Sequence, residues 1–288
     1  MKKIFITGGG GFFASRFSAF YRKQYEILAP AHRELDITDE SAVRREVESF
    51  RPDLVLHAAA VTSTKYCEEH PDIAQRVNAD ASVNLGKAAQ DVGAKMIFIS
   101  TEQVFNGNEE AGPYNEECNP VPDTVYGKTK LEAEQRLSEI VGQLWIPRFT
   151  WLFGLPQREC SAPSDILWGT VQSILRGESV TASKHEFRGM TDVQEMVVNL
   201  PKLLQQPCGI YHMGATNEES RYAVVRTVIE ALGLGSRLPG LLVEDKEKYL
   251  ERPRDIRLDT AKAQAAGIVF TDTQEAVRKC IADYSFTC

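Results

Sequence analysis

The amino-acid sequence predicts an α/β fold, a doubly wound parallel sheet with a smaller C-terminal substrate lobe, and three observations carry that reading. Short β-rich runs alternate with amphipathic helical stretches through the first half of the chain, which is the pattern of βαβ units. Four glycines, Gly8 to Gly11, follow the first apolar run directly and open the first helical stretch. From Phe153 onward the Gly and Pro spacing loosens the alternation, so a second lobe is expected to begin there.

Ile4 to Thr7 is the first predicted strand, and a helix from about Phe13 to Tyr21 follows it. A strand near Glu26 to Leu28, a helix from Asp39 to Phe50 and the run Leu54-Val55-Leu56 continue the alternation. The helix predicted from Ala74 to Val92 stops at Gly93, a residue suited to a left-handed cap, and Lys95 to Ser100 reads as a buried strand. Asn106 to Thr124 is rich in Gly, Pro, Asn and Glu. It reads as a long irregular loop, which in a compact domain is usually functional. A helix from Val125 to about Val141 and a strand from Leu144 to Arg148 close the first half. Beyond it, Ile166 to Arg176 and Asp192 to Leu200 look helical, Ile210-Tyr211-His212 returns to the sheet, and helices lie near Ala223 to Leu232 and Thr273 to Tyr284. The expected division is a cofactor-binding unit of residues 1–155, with return segments at about 188–213, and a substrate lobe of residues 156–187 and 214–288.

A chain of 288 residues can bury a core without disulfides or metal. Its net charge of -7 and isoelectric point near 5.4 argue against nucleic acid or an acidic membrane as a main partner, because both need clustered Lys and Arg. Six cysteines at positions 67, 118, 160, 208, 280 and 288 are scattered. They form no metal-ligand or redox spacing and read as reduced thiols of a cytoplasmic protein, with no metal expected. The apolar opening from Met1 meets the glycines and then Arg16, so no leader peptide is expected, nor is any later run long enough to span a bilayer.

The glycine run has the spacing G-x-x-G-x-x-A, with Gly8, Gly11 and Ala14 in the three places. Gly8 permits a tight turn, Gly11 lets backbone approach a pyrophosphate at the helix N-terminus, and Ala14 lets helix and strand pack closely. Glycines alone would make a flexible turn; between a strand and a helix they point to a Rossmann-type dinucleotide site. In such sites an acid at the end of the second strand binds the ribose of NAD. Here the chain reads Ala31-His32-Arg33-Glu34, with Arg33 available to a 2′-phosphate. NADP(H) is therefore the expected cofactor and NAD(H) the alternative, while the bland reading of Arg33 is a solvated surface charge.

Tyr126 and Lys130 form a Y-x-x-x-K pair at the start of a predicted helix, and Thr101 follows the strand that ends at Ser100. Residues four apart share a helix face. A phenol with its usual pKa of about 10 is a poor proton shuttle at neutral pH, and a nearby ammonium together with cofactor charge favours the phenolate. Lys130 is expected to lower Tyr126 in this way while its other donors hold the cofactor ribose. Taken alone the pair is common, and its bland reading is an exposed helical pair.

Glycine loop, strand-end Thr101 and Tyr126 to Lys130, in that order, resemble the extended short-chain dehydrogenase/reductases. Within that superfamily the chain looks most like the dTDP-4-dehydrorhamnose reductases. The matching stretches are Leu35-Asp36-Ile37-Thr38-Asp39, Arg51-Pro52-Asp53, His57-Ala58-Ala59-Ala60, Ser100-Thr101-Glu102-Gln103-Val104-Phe105 and Arg148-Phe149-Thr150-Trp151-Leu152-Phe153-Gly154. Arg252-Pro253 followed by Leu258-Asp259-Thr260 resembles the family's closing motif. The resemblance implies that Gly11, Phe12 and Phe13 line the pyrophosphate, Asp36 and Ile37 the adenine side, and Ala59, Ala60 and Val61 the path toward nicotinamide. Thr101 and Tyr126 would hold the substrate carbonyl, with Glu102 beside it, and Trp151 would pack on the sugar or thymine end. Two departures concern the substrate end: Glu102-Gln103 stands where the family has Asp then Tyr, and Met190 where it has Pro.

The implied reaction is NADPH-dependent reduction of the 4-keto group of a nucleotide-linked 6-deoxysugar. Two alternatives accompany it. A sugar-nucleotide epimerase or dehydratase uses the same Tyr and Lys, but dehydratases place an Asp-Glu pair after the Thr, and here Glu102-Gln103 leaves that pair incomplete. The second alternative is a non-catalytic, NADP-binding regulatory subunit like that of methionine adenosyltransferase. The expected partner is the nucleotide-sugar substrate, with a homodimer as the candidate assembly.

Overall fold

A computed structural model describes residues 2–284; Met1 and the cysteine at 288 lie outside that range. The chain runs through β1 (Lys3–Thr7), α1 (Phe12–Tyr21), β2 (Glu26–Leu28), α2 (Glu40–Phe50), β3 (Leu54–His57), α3 (Thr64–Glu69) and α4 (Pro71–Ala74). A π-helical turn (Gln75–Asp80) leads into α5 (Ala81–Asp91), followed by β4 (Lys95–Phe98), β5 (Ser100–Thr101), a 3-10 turn (Glu102–Phe105), α6 (Val125–Ile140), β6 (Leu144–Phe149) and β7 (Trp151–Phe153). Then come α7 (Ile166–Leu175), β8 (Val180–Ser183), β9 (Glu186–Phe187), β10 (Met190–Asp192), α8 (Val193–Asn199), a 3-10 turn (Leu200–Gln205) and β11 (Gly209–Met213). The C-terminal part holds α9 (Arg221–Ala231), α10 (Leu238–Leu241), β12 (Leu242–Asp245), β13 (Arg254–Asp255), α11 (Ala261–Ala265) and α12 (Thr273–Asp283).

The main sheet is parallel, in the order β11-β6-β4-β3-β1-β2, with β5 continuing alongside β6. Its strands are apolar on both faces: Phe5, Val55 and Phe98 pack toward α2, α5 and α6, while Ile6, Leu56 and Ile97 pack toward α1 and α8. Burial on both sides explains the continuous apolar runs in the sequence. β2 and β3 lie on opposite sides of β1, so the loops after β1 and β3 meet at a topological switch point, the usual ligand crevice of such sheets.

Most predicted elements appear within a residue or two. The helix expected from Ala74 to Val92 appears as one continuous helical run from Pro71 to Asp91, in which α4 and α5 are joined by the π-helical turn at Gln75–Asp80. Strand Lys95 to Ser100 breaks after Phe98 and resumes at Ser100, opposite Arg148. The short strands β8, β9, β12 and β13 pair across long sequence gaps, Val180 with Leu242 and Glu186 with Arg254, and no local pattern announced them. A third apolar cluster joins Phe153, Leu167, Val224, Val228 and Val277 beside these strands. Among the described residues, no helix is long and apolar enough to cross a membrane.

Candidate active site

At Gly8 and Gly9 the glycine loop is shaped by contacts that tolerate no side chain. Gly8 has φ +68°, and a Cβ there would come within 2.9 Å of the Ala59 Cα; one on Gly9 would collide with the Ala29 carbonyl. The Gly9 N–H donates to the Pro30 carbonyl at 3.0 Å and the Gly11 N–H to that of Gly8 at 2.7 Å. Gly11 caps α1 without a side chain, so the first-turn amides of a ten-residue helix face the crevice uncovered, a fit for a pyrophosphate. Phe13 contributes only backbone there, because its ring is buried against Phe149 and Phe17. Phe12 lies under the buried Arg16, whose guanidinium sits 4.1 Å from the ring and donates to the carbonyls of Phe12, Leu155 and Ser161.

At the end of β2 no carboxylate faces the crevice. Glu34 instead accepts from the Ala31 N–H at 2.8 Å, and Arg33 is exposed with no partner among the described residues. Asp36 is also exposed; the Thr38 N–H and hydroxyl both donate to its carboxylate and hold it below its ordinary pKa. Ile37 is a core residue, packed with Val43 and Val47, so its side chain is not free to line an adenine site.

One buried hydrogen-bond chain ties the two crevice loops to the catalytic helix. Ser82 gives its hydroxyl proton to the Asn78 carbonyl at 2.7 Å, so His57 Nε2 donates to Ser82 at 2.7 Å. His57 Nδ1 then accepts from the Thr7 hydroxyl at 2.6 Å, and that oxygen accepts from the Ala59 N–H at 3.2 Å. Burial pushes His57 down to about 3, so the ring stays neutral in this role. Asn78 accepts from the Val61 N–H at 2.8 Å, donates to the Val61 carbonyl at 3.1 Å and donates to Thr129 Oγ1 at 3.3 Å. Thr129 in turn donates to the Tyr126 carbonyl at 3.0 Å. The π-helical turn that contains Asn78 aims it into this gap. Sequence reading missed Asn78, since a polar residue in a predicted helix has no local mark of burial.

Thr124 caps α6 through the Gly127 N–H at 3.2 Å, which sets Tyr126 and Lys130 on the inward face of the helix. Tyr126 packs with Val61 and Cys67, and the Thr101 side chain acts on its phenol, opposing the upward shift. Thr101 also accepts from the Gln103 N–H at 3.2 Å. Thr101, Tyr126 and the Ala59 to Val61 segment are thus brought together as expected. Burial, followed by the Glu102 carboxylate, pushes the Tyr126 phenol well above its ordinary value in the protein alone, whereas the expected lowering drew on cofactor charge as well as on Lys130. Lys130 is itself buried, its ammonium 3.8 Å over the Phe98 ring, and desolvation lowers it to about 7 against the pull of Glu134. Glu134 is committed elsewhere, in a buried pair with Arg148 at 2.6 Å and a short bond from the Ser100 hydroxyl.

The substrate end is a buried cluster of charge. Glu102 is ion-paired with Arg188, and its second carboxylate oxygen has no partner. Desolvation raises Glu102 while Arg188 and Arg254 pull it back. Glu186 lies among three arginines, Arg188, Arg221 and Arg254, at 4.0, 3.2 and 3.4 Å. Trp151 is half-buried, packed against the third apolar cluster, with the guanidinium groups of Arg188 and Arg221 4.7 and 5.6 Å from its ring. Gln103 accepts from Arg254 at 2.8 Å. Met190, at the place of the expected Pro, uses its N–H to donate to Thr273 Oγ1 at 3.0 Å, a bond proline could not make. The arginines come from three separated segments, so no sequence spacing could have revealed them.

This arrangement can hold a dinucleotide across the switch point and present a phenol and a threonine hydroxyl to a substrate carbonyl. Among solved structures, a dTDP-4-dehydrorhamnose reductase (rfbD) from Bacillus anthracis str. Ames in complex with NADP superposes with a TM-score of 0.88, covering 99% of this chain and 100% of that one at 24% identity; at that identity the likeness is one of fold. Methionine adenosyltransferase 2 subunit beta of Bos taurus is 27% identical over 281 residues, 93% of this chain and 83% of that protein. Spore coat polysaccharide biosynthesis protein SpsK of Bacillus subtilis (strain 168) is 27% identical over 296 residues, the full length of both. The profile of the RmlD substrate binding domain matches residues 1–286, and the chain therefore belongs to that family, within the extended short-chain dehydrogenase/reductases.

Proposed function

We propose that the protein reduces the 4-keto group of a nucleotide-linked 6-deoxysugar with NADPH. The observation that carries this reading is the convergence of Thr101, Tyr126 and the Ala59 to Val61 backbone at the switch point, beside uncovered amides of α1. NADPH, when bound, supplies the hydride. In this reading Gly8, Gly11 and the amides of Phe12 and Phe13 take the pyrophosphate, Asp36 with the backbone at Ile37 borders the adenine, and Arg33 takes the 2′-phosphate. Ala59, Ala60 and Val61 border the nicotinamide, and Lys130 turns toward the ribose. Tyr126 gives its proton to the carbonyl oxygen, Thr101 donates a hydrogen bond to the same oxygen, and Glu102 and Trp151 border the sugar. A raised phenol suits a proton donor, because it stays protonated until the oxygen becomes basic. Residues 1–155 with 188–213 would hold the cofactor, and residues 156–187 with 214–288 the substrate.

The second reading, a non-catalytic NADP-binding subunit, is favoured by the likeness to methionine adenosyltransferase 2 subunit beta and by the Glu102 to Arg188 pair that occupies the substrate end. One experiment separates them. NADPH absorbance is followed with purified protein and dTDP-4-keto-6-deoxy-L-lyxo-hexose generated in the same tube, for wild type and Tyr126→Phe. Oxidation that needs both the sugar and Tyr126 supports the reductase; NADPH binding without oxidation moves the weight to the subunit reading.

A further inference from the structure

Between β7 and α7 the chain makes an excursion whose two ends are tied together. The Gly154 N–H donates to the Asp165 carboxylate at 3.1 Å, and the same carboxylate caps α7 by accepting from the Leu167 and Trp168 N–H groups at 2.8 and 2.9 Å. Residues 155–164 therefore form a compact loop on a closed neck, the arrangement of an Ω-loop. One leg leaves β7, which carries Trp151, and the other enters α7, whose Ile166 and Leu167 lie in the third apolar cluster. Gly154 and Asp165 at the neck are buried, whereas Pro156, Arg158, Glu159 and Ala162 are exposed.

The tip of this loop lies along α1 and reaches the glycine loop. Its turn is closed by the Cys160 N–H donating to the Gln157 carbonyl at 3.2 Å, with Glu159 at φ 64°, a left-handed conformation uncommon for a residue with a Cβ. Ser161 then makes contact through its hydroxyl, its N–H and its carbonyl. The hydroxyl donates to the Gly10 carbonyl, the N–H donates to Ser15 Oγ at 3.3 Å, and the carbonyl accepts from Arg16 at 3.1 Å. Gln157 accepts from the Gln194 amide at 2.8 Å. Glu159 pairs with Arg22 at 3.4 Å, both exposed, a contact of little strength. Among the described residues, no side chain from Gln157 to Ala162 joins an apolar cluster. A segment held by a few polar contacts and no buried apolar ones opens at low free energy.

We propose that residues 155–164 are a lid that gates exchange of the dinucleotide at the glycine loop, with the bond from Ser161 to the Gly10 carbonyl as its latch. The inference rests on the reading of that loop as the NADPH site. Gly10 stands between Gly8 and Gly11, so a segment latched to it borders the place where the pyrophosphate lands, and it must lift for cofactor to enter or leave. The neck at Gly154 and Asp165 stays closed while the tip moves, because its bonds are buried and the latch is not. A lid of this kind sets the rate of exchange. Opening it is required in both directions, so weakening the latch speeds entry and release by the same factor and leaves the affinity where it was.

The test is stopped-flow binding of NADPH to the full-length chain, which gives association and dissociation rate constants, with the Kd checked by calorimetry. Ser161→Ala should raise both rate constants by about fivefold, the worth of one hydrogen bond, and leave the Kd within about twofold of wild type. Ser161→Thr keeps the hydroxyl and should return both rate constants toward wild type. Amide hydrogen exchange of the cofactor-free protein should be faster across residues 157–162 in Ser161→Ala and unchanged in the strands of the main sheet. If wild type binds no NADPH, the cofactor reading falls and the lid falls with it. If wild type binds NADPH but Ser161→Ala leaves both rate constants within about twofold, or raises dissociation alone, the lid is overturned and the cofactor reading stands.

Discussion

Asn78 and Val61 form a closed pair: the side-chain amide accepts from the Val61 N–H at 2.8 Å and donates to its carbonyl at 3.1 Å. Because Asn78 is completely buried, removing the amide leaves the Val61 N–H without its partner and the Val61 carbonyl with only the weak Cys67 thiol donor at 3.4 Å. Asn78→Ala should cost about 1–3 kcal/mol of stability, read as a lower urea midpoint. The segment carrying Val61 also packs against Tyr126, so any turnover should fall more than the stability loss explains at temperatures where the variant is folded. Unchanged stability would mean that water replaces the amide.

Gly9 and Gly10 are neighbours with opposite tolerance. A Cβ on Gly9 would collide with the Ala29 carbonyl, whereas one on Gly10 finds its nearest neighbour, the Ala31 Cβ, at 3.5 Å. Gly9→Ala should lose NADPH binding and about 1–3 kcal/mol of stability through forced displacement of the loop, while Gly10→Ala should stay within about 0.5 kcal/mol of the parent. Thermal melting with and without NADPH compares the two.

Glu102 raises the Tyr126 phenol and is ion-paired with Arg188. Glu102→Gln removes the negative charge beside the phenol, so the alkaline limb of any Tyr126-dependent reaction should move to lower pH. The same change leaves Arg188 buried without its counter-charge, at a cost of about 3 kcal/mol. A pH profile of kcat/KM and a denaturant titration measure the two effects separately, and a limb that stays in place would show that Glu102 does not act on the reacting phenol.

Lys130 is lowered to about 7 from an ordinary 10.5. Between those values the unfolded chain holds a proton that the folded chain has released, so stability should rise as pH climbs through the window and carry the full cost of the buried ammonium below about pH 7. The amplitude is on the order of a few kcal/mol. His57, lowered to about 3 from 6.5, acts in the same direction at lower pH: its contribution is lost as pH falls below 6.5 and is gone near 3. Lys130→Met should flatten the upper slope and His57→Gln the lower one, as read from urea midpoints across pH. NADPH-bound protein should show a smaller upper slope if Lys130 engages the ribose.

The order of strands and helices, the glycine loop and the Tyr126 to Lys130 spacing were legible in the sequence because each depends on residues close along the chain. Apolar runs, caps and a four-residue helical repeat are local quantities, and the structure returns them nearly in place. Thr101 was legible for the same reason, as the residue on which a buried strand ends. What the tertiary structure decided was which distant groups share a dry interior. The π-helical turn that delivers Asn78 to Val61, and the gathering of Arg188, Arg221 and Arg254 around Glu186 with Arg188 also paired to Glu102, depend on contacts between segments up to about 150 residues apart. The same burial raises the Tyr126 phenol and lowers the Lys130 ammonium. A residue's chemistry in isolation follows from its type, but its charge state in a folded protein is set by desolvation and by neighbours that only the closed fold supplies.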